Sequence, residues 1–97
     1  MAFIQIVEIT TTKPDELQKL SADYQTKTEG KRTSRRVAVC ADRDKPGRYL
    51  IIAEFDSYES AMENSNLAET EELAEEMRAF VDGPPAFHSL EVLETYS

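Results

Sequence analysis

With a single cysteine, Cys40, in 97 residues, the chain can form neither an internal disulfide nor a cysteine-based zinc site, since both need partners at defined spacing. Long apolar stretches are also missing. No run approaches the roughly 18 residues of a membrane span, so no membrane partner is expected. Met1 to Lys13 shows no basic start followed by an apolar segment, which reads as a chain without a leader and therefore cytoplasmic. Positive charge is scarce in one half only. Met1 to Ala53 carries ten Lys and Arg against seven Asp and Glu, whereas Glu54 to Ser97 carries one, Arg78, against twelve. A nucleic-acid binder needs a dominant basic field to displace phosphate counterions. The one basic cluster, Lys27, Lys31, Arg32, Arg35 and Arg36, sits in a chain of net charge −8, so nucleic acid is not an expected partner. Halves of +3 and −11 suit self-association instead.

What is present suffices for one core. Hydrophobic residues make up 40% of the sequence and charged ones 31%, too apolar a balance for a disordered chain. A chain of 11.0 kDa buries about two-thirds of its extended surface on folding, so residues 1–97 are read as a single domain. Phe3 to Ile9 is β-branched and apolar on both alternating faces, which predicts a buried first strand. Pro14 suits the first turn of a helix, with Asp15 and Glu16 complementing the positive end of its dipole. Leu17, Leu20 and Tyr24 then form one apolar stripe, so a helix is expected over Pro14 to Thr28. Arg36–Ala41 and Tyr49–Phe55 form a hairpin, with Pro46-Gly47 at the centre of a type II turn. Asp56 with Glu59, and Asn66 with Glu69, have the spacing of capping boxes, predicting a helix broken near Asn64-Ser65-Asn66. Gly83-Pro84-Pro85 stops its second half, and Phe87 to Thr95 supplies a fourth strand.

The order β-α-β-β-α-β predicts an α+β, ferredoxin-like fold with a four-stranded antiparallel sheet. Right-handed crossovers put both helices on one face and leave the other bare. A solvated face requires alternation of apolar with polar residues. The strands do not alternate. Phe3, Val7 and Ile9 oppose Ile4 and Ile6, and Tyr49, Ile51 and Phe55 oppose Leu50 and Ile52. An apolar patch of about 400 Å² is at the upper range for a soluble monomer. The expectation is therefore a homodimer, sheet on sheet.

At this point the chain resembles the dimeric α+β barrel superfamily, and within it the small antibiotic biosynthesis monooxygenase-like proteins. The residues carrying the likeness are Glu54-Phe55-Asp56-Ser57-Tyr58-Glu59-Ser60-Ala61, the asparagine-containing break after them, and Asp82-Gly83-Pro84-Pro85-Ala86-Phe87. The resemblance implies barrels built from two facing sheets, with a cavity between helices and sheet in each subunit. It also implies activities that include quinol oxidation without metal or flavin, so no cofactor is expected, and haem degradation. The chain departs from the pattern in having no tryptophan and no histidine on the helix after the third strand. Haem degradation needs an axial histidine there, so it is set aside.

Candidate site residues follow. His88, the only histidine, has the chemistry of a general base or an oxyanion donor, against a plain strand-end residue. Asn64 could hydrogen-bond a reacting carbonyl or hydroxyl from the helix break, and Asn66 could bind a ligand there, against capping for both. Tyr24, Tyr49 and Tyr58 are expected to converge on the helix-covered face. They would either pack in the core or line a pocket for a flat aromatic ligand. Cys40 reads as a small hydrophobe. The glutamates at 69, 71, 72, 75 and 76 read as a solvated face, so no metal site is expected. The functional reading is a homodimer binding a small organic, aromatic molecule, with cofactor-independent monooxygenase-like activity. The alternative is a non-catalytic dimerisation and protein-interaction module with a filled pocket. A cavity of about 300 Å³ or more separates the two.

Overall fold

A computed structural model describes the whole chain, Met1–Ser97. Its elements are β1 (Phe3–Thr10), α1 (Pro14–Lys27), β2 (Arg36–Ala41), β3 (Arg48–Phe55), α2 (Tyr58–Ser65), α3 (Ala68–Met77) and β4 (Ala86–Glu91). The four strands form one sheet in the order β2-β3-β1-β4, with every neighbouring pair antiparallel. This is the expected ferredoxin-like arrangement, with the second helix divided in two.

Local chemistry explains most boundaries. Pro14 stands at the start of α1 with Asp15 and Glu16 in its first turn, where the absent N–H costs nothing and the dipole favours acids. Buried Thr11 anchors this start by accepting from Lys13 N at 3.0 Å and donating to Phe80 O at 2.6 Å. The β2–β3 turn closes through Arg48 N donating to Lys45 O at 3.1 Å. Gly47 there has φ of 90°, as the third position of a type II turn requires.

Three boundaries differ from expectation. Ser57, not Asp56, caps α2, because its extended backbone places Oγ to accept from Ser60 N at 3.1 Å. Asp56 instead pairs with Arg35 at 3.2 Å. Asn66 is the C-cap of α2 and does not start α3, whose N-cap is Leu67 with no side-chain bond. Finally, β4 spans Ala86–Glu91, beginning one residue early and ending short of Thr95, with a last sheet-like bond from Val92 N to Ala2 O.

Register fixes the two faces. Phe3, Gln5, Val7 and Ile9 of β1 lie beside Phe55, Ala53, Ile51 and Tyr49 of β3, and this face carries the helices. The core there is thin: Phe3, Ile9, Leu17, Phe55 and Ala61 are its buried apolar side chains, and α3 buries none completely. The opposite face presents Ile4, Ile6, Leu50, Ile52, Ala38 and Cys40, all only half-buried in the single chain, together with exposed Leu90. No helix or loop covers it.

Candidate functional site

A cavity of about 510 Å³ opens between the sheet and the chain from α3 to β4. It exists because α3 stands off the sheet rather than packing flush against it. Val7, Ile9 and Ile51 form its floor, and Leu73, Ala74 and Met77 of α3 form its roof. Phe87 closes one side. The size exceeds what a ring-sized ligand needs, and the lining is mainly apolar with few polar groups, the usual composition of a small-molecule site.

Four polar side chains reach it: Gln5, Ser65, Thr70 and Arg78. Gln5 is half-buried in the floor and takes part in none of the side-chain hydrogen bonds of the fold. Its amide keeps both a donor and an acceptor free. Thr70 belongs to a closed ring of bonds at the helix break. Its hydroxyl donates to Asn64 O at 2.7 Å, and a hydroxyl has one proton to give. Tyr24 Oη must therefore donate to Thr70 Oγ1 across the 2.7 Å between them. Asn64 Nδ2 donates in turn to Tyr24 Oη at 3.2 Å, while Asn64 Oδ1 accepts from Thr33 N at 3.1 Å. The ring joins α1, the end of α2 and the start of α3.

The expected site residues are thus dispersed. Tyr24 and Asn64 meet each other and touch the cavity wall through Thr70. Tyr58 lies at the start of α2 with its ring edge-to-face on Phe3, centroids 5.5 Å apart, and is 52% exposed. Tyr49 pairs with Ile9 at the other end of β3 from Phe55, about 20 Å away along the strand. The expected convergence of the three tyrosines is therefore overturned by strand length. Asn66 is exposed, its backbone N–H bonded to Met62 O and Glu63 O.

His88 points away from the cavity. It pairs with Ile6 across the β1–β4 ladder, and residues paired across a ladder share a face, so it occupies the uncovered one. There His88 Nε2 lies 3.0 Å from Glu8 Oε1, and because an ionised carboxylate only accepts, the ring nitrogen is the donor. Glu8 also accepts from Arg48 at 2.5 Å, and Arg48 bonds Asp42 as well. The hydrogen bond from Arg48, helped by His88, holds the Glu8 carboxyl below its ordinary range. Asp42 is lowered chiefly by Asp44 N and then by Arg48, and Arg48 is raised by its two acids. This polar chain of four crosses a largely apolar surface, on which Arg36 and Glu54 form a further ion pair. No group of three or more His, Cys, Asp or Glu side chains is gathered to hold a metal ion.

Sequence reasoning missed all four polar lining residues, Gln5, Ser65, Thr70 and Arg78. The signal for Gln5 was legible, for it is the one polar residue sharing a strand face with Phe3, Val7 and Ile9.

No family model matches the chain, and no curated protein matches it in sequence. Solved structures do match. A Caulobacter crescentus protein bearing the provisional name antibiotic biosynthesis monooxygenase superposes with a TM-score of 0.83 at 14% identity, over 96% of this chain and 91% of that one. SnoaB, a cofactor-independent oxygenase from Streptomyces nogalater, gives 0.80 at 16% identity, over 97% and 95%. The Mycobacterium tuberculosis protein Rv0793 gives 0.80 at 17%, over the full length of both. Likeness at these identities establishes the fold: the chain is built as the antibiotic biosynthesis monooxygenase-like proteins are.

Proposed function

We propose that this chain works as a homodimer whose subunits each bind a small, flat, mainly aromatic molecule between the sheet and α3. The cavity of about 510 Å³ carries this reading, since a filled interior was the mark of the alternative. The chemistry to look for is cofactor-independent oxygenation, supported by the shared fold with SnoaB. Within it, Gln5 would orient the ligand, and Asn64 and Tyr24 would hold Thr70 and the roof in place. His88 would act at the dimer surface and not on the ligand.

One observation favours binding without turnover. No titratable base lines the cavity, where Arg78 is the sole charged side chain, and the amide of Asn64 is already bonded at both ends. The deciding experiment screens naphthols, naphthoquinols and anthrones by thermal shift, then follows dissolved oxygen with each binder. A ligand selective for the native state must raise the melting temperature. Raised melting with oxygen uptake supports an oxygenase, raised melting without uptake supports a binding protein, and no shift with any of them rejects both.

A further inference from the structure

The cavity has a polarity of its own, and it runs against the charge around it. Residues Glu54 to Ser97 carry twelve acids and one cation. Yet no carboxylate lines the cavity, and the single cation, Arg78, does. Arg78 follows the last residue of α3, is 79% exposed, and has only a long ion pair with Glu75, at 3.9 Å. A guanidinium offers five donors in a planar fork, so it can receive a second carboxylate while keeping that loose partner. Charges farther off than about 8 Å are largely screened at physiological ionic strength. Among the charged side chains, Arg78 alone borders the cavity, with Glu75 as its ion-pair partner. The floor differs: there Gln5 presents an uncharged amide with no partner in the protein.

Resting on the cavity reading above, we infer that the site selects aromatic monoanions. The carboxylate or phenolate sits at the mouth on Arg78, and an uncharged hydroxyl or carbonyl at the inner end sits on Gln5. The pairing discriminates by chemistry, because the half-buried Gln5 amide is penalised when a ligand covers it without a partner, and a cation at the mouth rewards one sign of charge only. Cationic and purely hydrocarbon ring systems are disfavoured by the same two residues.

Three probes of one shape separate these contributions at pH 7: 6-hydroxy-2-naphthoate, 2-naphthoate and 2-naphthol, titrated by calorimetry into the full-length protein. The wild type should bind the hydroxynaphthoate tightest. Arg78→Gln should weaken both carboxylates by about five- to tenfold and leave 2-naphthol unchanged. Gln5→Leu should weaken the two hydroxyl-bearing probes by a similar factor and leave 2-naphthoate unchanged. A helix-stabilising role for Arg78 alone would lower the melting temperature without altering the ratio of carboxylate to naphthol affinity. Wild-type protein that prefers 2-naphthol, or variants that move all three probes equally, overturns the selectivity while the cavity reading stands. Ala74→Phe, which fills the roof, should weaken all three. Binding unaffected by it, or no binding of any probe at roughly 1 mM, overturns the cavity reading and the selectivity with it.

Discussion

Glu8 shows how one side chain can be tied to several partners at once. It accepts from both Arg48 and His88, and its carboxyl is held low by the first and then the second. Asp42 and Glu69 are also lowered, the latter chiefly by Lys31 at 2.6 Å. Groups whose acidity is strengthened by folding stabilise the native state above their ordinary range, near 4, and that stabilisation disappears as pH falls through their native values. Melting temperature should therefore be level from pH 7 to about 5 and decline below it. Glu8→Gln should flatten part of that decline, measured as melting temperature against pH for both proteins. A slope unchanged by the substitution would remove Glu8 from the account. Single residues were the hardest scale to read from sequence. His88 and Asn64 have the right chemistry for a site, but a ladder register turns one to the far face and a ring of bonds occupies the other. Both facts depend on partners 82 and 40 positions away. Gln5, by contrast, was visible through alternation alone.

Elements were more legible than residues, because their signals are local. Pro14, Pro46-Gly47 and the apolar stripe of α1 each act within a few positions, and the structure follows them. The capping boxes were misplaced by competition. Asp56 is drawn to Arg35, and Ser57 takes over the start of α2, while α3 begins too late for Asn66 to reach its first turn. Ser57 is thus the only side-chain cap on the divided helix. Ser57→Ala should cost about 1 kcal/mol in urea unfolding, whereas Asn66→Ala should cost little. Equal losses would contradict the boundary as described. Helix α3 poses a different difficulty. Its apolar residues Leu73 and Met77 are spaced for a core but roof a cavity instead, and a periodic pattern cannot distinguish a packed face from one that stands off.

At the scale of the whole molecule, the uncovered sheet face is the dominant feature. Ile4, Ile6, Leu50 and Ile52 lie there side by side in neighbouring strands, with only the Glu8 chain and the Arg36–Glu54 pair as polar relief. The absence of alternation in β1 and β3 announced this face, though not the four linked polar side chains crossing it. A homodimer closed through it should sediment at twice 11.0 kDa. Ile6→Asp should shift the mass to that of one chain at micromolar concentration, since an unpaired charge in an apolar interface is strongly disfavoured. A wild-type monomer would refute the sheet-on-sheet pairing.

The strand order has a further consequence for assembly in time. β1 is made first, yet it lies between β3 and β4, with Phe3 opposite both Phe55 and Glu91. Its two neighbours follow much later in the chain, and β4 is the last of the seven elements. A nascent chain can form the β2–β3 hairpin and add β1 to it, but the other edge of β1 stays open until β4 arrives. The sheet therefore cannot close until the last element of the fold has been made.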